Sequence, residues 1–136
     1  MPCKRRRQLW YTLWAMERAQ FERLVRQALD DLPGDILSCM DNVDVVVEEV
    51  ASRDQLIGSG LDDDELLLGL YEGIPLPDRY DYNLVLPDKI TLFQNTIESV
   101  CPSDEDVVKE VRDTVVHEVA HHFGIGDDEL DAMGAS

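Results

Sequence analysis

Residues 102–130 read PSDEDVVKEVRDTVVHEVAHHFGIGDDEL, and the reading of the whole chain turns on them. Pro102-Ser103-Asp104-Glu105-Asp106 has the composition of a helix start. Ser103 can cap the first N–H groups, Asp106 stands three residues on as in a capping box, and the acids favour the positive end of the helix dipole. Behind them Val108, Val111, Val115 and Val119 recur at helical spacing, which predicts a buried stripe. The helix is expected to stop at Phe123-Gly124, because glycine can enter the left-handed conformation that turns the chain. A further short helix is expected from Asp127 to Met133.

Within the helix lies His117-Glu118-Val119-Ala120-His121. Two histidines four apart stand one turn above the other on one face, so both imidazoles can reach a single tetrahedral Zn²⁺. Glu118 lies one step round, placed to take a proton from water without being a ligand. Gly124 then lets the chain double back, and Asp127 follows three residues later as the expected third ligand. Asp128, Glu129 and Asp131 are the alternatives for that place, and helix capping is the plain role for all four acids. At ordinary residue frequencies HExxH arises by chance in roughly one chain of this length in a few hundred; with Gly and Asp also placed, in roughly one in a hundred thousand. His122 points about 100° away from His121 and is expected to pack or support rather than to ligate.

Nearer the N-terminus, Leu13, Trp14, Phe21, Leu24, Val25, Ala28, Leu29 and Leu32 fall three and four apart, an amphipathic helix from Trp10 that Pro33-Gly34 ends. Val43 to Val50 is β-branched and partly alternating, as a strand should be. Residues 51–64, with Gly58-Ser59-Gly60 and Asp62-Asp63-Asp64, are expected to be a loop. Leu66 to Tyr71 predicts a second strand, with a helix as the alternative for its run of leucines. Gly73 to Pro87 predicts an extended loop, in which Arg79, Tyr80 and Tyr82 are candidates for lining a cleft or for local packing. Lys89 to Gln94 alternates as a half-buried strand, and a helical turn over Thr96 to Val100 follows. The fold class is therefore α+β, with a small, mainly antiparallel or mixed sheet, an N-terminal helix and the C-terminal HExxH helix.

The chain holds 136 residues with 12 basic and 29 acidic side chains, a formal −17. Four of the basic residues are Lys4 to Arg7, and residues 1–15 hold no acid, so the other eight face every acid and residues 16–136 carry −21. Such a body repels phosphate backbones, which argues against nucleic-acid binding. Residues 1–15 are expected to be a basic extension, either disordered or lying upstream of a true start at Met16; residues 16–136 are expected to form one domain. No apolar run approaches the ~20 residues of a membrane span. Cys3, Cys39 and Cys101 are few, odd in number and in no CxxC pattern, which suits a reducing, cytoplasmic setting.

The string H-E-V-A-H-H-F-G-I-G-D resembles that of zincin metallopeptidases. In its Gly turn and third ligand it resembles the metzincin branch, and it is most similar to a family of small bacterial zincin-like proteins, over Ile90 to Met133 and more loosely over Glu17 to Pro87. The resemblance implies zinc on His117, His121 and Asp127, Glu118 as general base, and a peptide or protein as substrate. Two departures stand out. Metzincins usually have His where this chain has Asp127. They also carry a C-terminal subdomain with a Met turn, of which Met133 is either a vestige or an ordinary apolar residue, so a protein partner completing the cleft is a natural expectation. The strand Lys89 to Gln94 is expected to pair with substrate along its edge. The alternative function is a non-catalytic zinc-binding interaction protein; a glutamate at 118 favours the enzyme, because a structural site has no use for a base there.

Overall fold

The computed structural model describes residues 17–60, 66–73 and 87–132. The expected basic extension 1–15, the helical turns before Glu17, the acids Asp62 to Asp64, the loop residues Arg79, Tyr80 and Tyr82, and Met133 lie outside them.

The first amphipathic stretch forms helix α1, Arg18–Asp30, with Phe21, Val25 and Ala28 buried at the three- and four-residue spacing of one helical face. It stops earlier than Pro33. The residue before a proline is disfavoured in the helical region, and Asp31 already leaves it at ψ 10°. Leu32 is nevertheless buried, and Pro33 then starts a second short helix, α2, Gly34–Cys39, anchored by buried Ile36.

Strand β1, Val43–Glu48, is followed by a helix where a loop was expected: α3, Arg53–Ser59. Its cause is local. The Ser52 hydroxyl accepts the Gln55 N–H at 3.1 Å, the Gln55 side chain accepts the Ser52 N–H at 2.8 Å, and Gly60 closes the helix at φ 72°. No residue of α3 is buried, so no amphipathic pattern announces it.

Strand β2, Gly69–Glu72, and strand β3, Asp88–Phe93, complete a three-stranded sheet in the order β1-β3-β2. β1 runs parallel to β3, from Val43 opposite Asp88 to Glu48 opposite Phe93, and β2 runs antiparallel to it, from Gly69 opposite Leu92 to Glu72 opposite Lys89. The sheet is thus mixed. β3 is central rather than half-buried: Ile90 through Phe93 are all out of solvent. With both its edges paired, β3 has no edge to offer a substrate, which corrects the expectation for Lys89 to Gln94.

Helix α4, Gln94–Val100, leads into the long helix α5, Asp104–Phe123, and then α6, Asp127–Ala132. The core joins Phe21, Val25 and Ala28 of α1, Ile90 and Leu92 of β3, and Val107, Val111, Val115, Val116, Val119 and Ala120 of α5. The stripe on α5 runs through Val107 rather than Val108, which is half-buried. Among the described residues no helix is long and apolar enough to cross a membrane.

Candidate metal centre

Two local devices fix α5 at its ends. At the start, the Ser103 hydroxyl accepts the Asp106 N–H at 3.2 Å and donates to the Asp106 carboxylate at 2.9 Å. At the finish, Gly124 takes φ 69°, and the Ile125 N–H folds back to the Ala120 carbonyl at 2.8 Å. The last two turns are held by buried Val119 and Ala120, while His117, His121, His122 and Phe123 are exposed on the other side.

His117 is oriented by its own helix. Its Nδ1 lies 2.7 Å from the Asp113 carbonyl; a carbonyl only accepts, so the neutral ring carries its proton on Nδ1 and presents Nε2 outward. A metal-ligating histidine commonly has such an arrangement, its second nitrogen donating to a backbone carbonyl, a carboxylate or water. His121 follows one turn later on the same face. Glu118 is half-buried, and its Oε1 accepts the Tyr71 N–H of β2 at 2.9 Å. An open cleft of about 420 Å³ reaches this point, with Leu66, Leu67, Leu68 and Gly69 on one wall and Glu110, Asp113, Thr114, His117 and Glu118 on the other.

The strand comes so close because residue 69 has no side chain. A Cβ there would stand 2.7 Å from Thr114 Cγ2 and 3.2 Å from the Thr91 carbonyl. Glycine in a strand interior marks such close approach, and this was the available sequence signal for β2 lying against α5. Tyr71, Asp88 and the Leu66 to Leu68 wall were not singled out as functional from sequence.

Asp127 is the first residue of α6; its side chain lies outside the described residues. Asp128, Glu129 and Asp131 are exposed, and buried Leu130 ties α6 to the core. Among the described residues no three His, Cys, Asp or Glu side chains converge on a common point; the His pair supplies two donors. His122 packs rather than reaching toward that pair. Its ring stacks on Tyr71 at 3.9 Å and 18° and meets Phe123 edge-on at 5.0 Å. The donors fit a zinc ion in kind, two imidazoles one turn apart with one already presenting Nε2 and an adjacent carboxylate held aside by a main-chain N–H.

A family model described as zincin-like metallopeptidase matches residues 40–135. Among solved structures, a conserved hypothetical protein from Thermus thermophilus is similar at 23% identity and a TM-score of 0.51, covering 79% of this chain and 94% of its own. That likeness is one of fold. No curated protein matches the chain.

Proposed function

The chain belongs to the zincin-like metallopeptidase family, and we propose that it is a zinc-dependent peptidase with Glu118 as its general base. The observation that carries this is the pairing of an outward-facing His117 Nε2 with a Glu118 carboxylate fixed beside it at the end of a cleft. His117, His121 and Asp127 would hold the ion, which when bound supplies Lewis acidity, lowering the pKa of water towards ~7 and polarising a scissile carbonyl.

The chain's own residues do the rest. Glu118 accepts the proton of the attacking water and hands it to the leaving amine nitrogen, so the carboxylate is unchanged over one cycle. The Asp113 carbonyl keeps the His117 ring in one tautomer. Leu66, Leu67 and Leu68 give the cleft an apolar wall against which a peptide side chain can lie. The substrate is a peptide or protein, and the open cleft suits a partner that completes it. The −21 carried by residues 16–136 disfavours nucleic acid, and the free thiols expected from sequence suit the cytoplasm.

The test is zinc content together with casein or peptide-library cleavage, on wild type and Glu118→Gln in parallel. Zinc in both with cleavage in wild type alone is the expected result. Zinc in both with cleavage in neither would point to a non-catalytic zinc-binding interaction protein, or to a missing partner. Wild type that takes up no zinc would overturn the proposal.

A further inference from the structure

We propose that Tyr71 is the positioning residue for Glu118, clamped for that purpose between Asp88 and His122. The inference rests on the peptidase reading for its catalytic meaning, but the clamp itself is a property of the folded chain.

Strand pairing sets the direction of each main-chain group. The Phe93 N–H bonds to the Leu68 carbonyl, so Leu68, Leu70 and Glu72 direct their main-chain groups at β3, and Gly69 and Tyr71 direct theirs away from it. The Tyr71 N–H therefore leaves the sheet at its outer edge, and Glu118 Oε1 receives it. Among the described residues this bond takes up one oxygen of the carboxylate and leaves the other for a proton.

An edge-strand N–H points reliably only if the strand is fixed both in distance and in rotation. Distance is set at Gly69, whose missing Cβ lets β2 approach Thr114. Rotation is set by the Tyr71 side chain, which is anchored twice. Its hydroxyl donates to Asp88 Oδ2 at 2.8 Å, at the start of β3, and its ring stacks on His122 at 3.9 Å. His122 is four residues from Glu118 and so lies on the same face of α5. Tyr71 thus grips one helix face at two points: main chain on Glu118, ring on His122. This assigns the second His of the His121-His122 pair a role that metal binding does not give it.

A general base must sit within hydrogen-bond reach of its proton, and small misplacements of reacting groups cost up to about a hundredfold in rate. Amide hydrogen exchange at residue 71 reads the clamp directly, without requiring turnover. Losing the bond to Glu118 should speed exchange there by roughly tenfold. The set is wild type, Glu118→Ala, Tyr71→Ala, His122→Ala and His122→Phe, each with its zinc content. The expected result is faster exchange at residue 71 in the three alanine variants, protection partly restored in His122→Phe, and zinc retained in both His122 variants. In cleavage assays Tyr71→Ala should lose about ten- to a hundredfold in kcat with little change in KM. Should Tyr71→Ala not fold, Asp88→Ala and His122→Ala, each removing one anchor, decide by the same exchange readout. Exchange at residue 71 that ignores Glu118→Ala, or that ignores the loss of every anchor, would overturn the clamp. Wild type that takes up no zinc would instead overturn the peptidase reading, and the exchange data would still decide this one.

Discussion

The two halves of helix α5 do opposite work. From Val107 to Val116 its inner face is sealed in the core against α1 and β3; from His117 to Phe123 it keeps only Val119 and Ala120 inside and turns three histidines outward. The first half stabilises by burial, at roughly 25 cal/mol per Å² of apolar surface. The second half buries less, and its outward side chains are held by single contacts: Asp113 to His117, Tyr71 to Glu118, Tyr71 stacked on His122. The lesson is one of division. A rigid rod anchored at one end can present reactive groups at the other without those groups having to contribute to folding. The acids follow the split too: Asp104, Glu105 and Asp106 all stand in the first turn, where negative charge is favourable to the helix dipole.

Mutating adjacent turns puts this division under the greatest stress. Glu118→Gln should lower kcat by about 10²- to 10⁴-fold, the usual contribution of a general base, and leave stability nearly unchanged, because the amide oxygen can still accept the Tyr71 N–H. Val115→Ala, one turn away and fully buried, should do the reverse. It deletes two methyl groups and leaves a cavity, costing about 2–3 kcal/mol while kcat changes less than a few-fold. Urea titration and steady-state kinetics on both proteins check it; a Val115→Ala variant as impaired as Glu118→Gln would show that the halves are not separable.

Between the two lies Gly69, where core packing and site geometry meet. Gly69→Ala places a methyl group 2.7 Å from Thr114 Cγ2, an overpacking expected to cost about 1–3 kcal/mol. Because β2 must move off α5, activity should fall as well. Thr114→Ser removes the clashing methyl, so the double variant should recover part of both losses, and a coupling of at least ~0.5 kcal/mol in the double-mutant cycle is the measurement. Additive single effects would mean that β2 does not depend on this contact.

Which parts of the molecule were legible in sequence follows the same division. Helix α5 was read to its ends, because Ser103 and Gly124 act through local hydrogen bonds and φ alone. β1 and β3 were visible as β-branched or alternating runs, and α1 as a helical stripe. The family model supports the zincin-like assignment that the HExxH string suggested. Helix α3 was missed although its Ser52 and Gln55 capping box stands in the sequence, since none of its residues is buried and Gly58 and Gly60 speak for a loop. The parallel pairing of β1 with β3 and the contact of Tyr71 with Glu118 were not legible at all. They join residues more than forty positions apart, and no local pattern encodes a main-chain N–H reaching across a strand edge.

A weaker effect is expected at the acidic end of α5. Cys101 sits just before the helix, its thiol donating to the Asp106 carbonyl at 3.5 Å. Partial burial first, then the negative charges of Glu110 and Asp106, push the thiol up to about 11. Only the thiolate reacts with alkylating agents, so at pH 8 Cys101 should be alkylated at least tenfold more slowly than an unperturbed thiol, even allowing for the greater nucleophilicity of a more basic sulfur. The stability consequence has a definite sign. The folded state keeps its proton where the unfolded chain, with a thiol near 9, has lost it, so stability is intact below pH 9 and declines as pH rises from about 9 to about 11. Replacing Cys101 by Ser should remove that decline, and Glu110→Gln, which withdraws the carboxylate with the larger effect on the thiol, should speed alkylation and move its midpoint down. An alkylation midpoint of about 9 in wild type would show that neither burial nor the carboxylates of Glu110 and Asp106 perturb this sulfur.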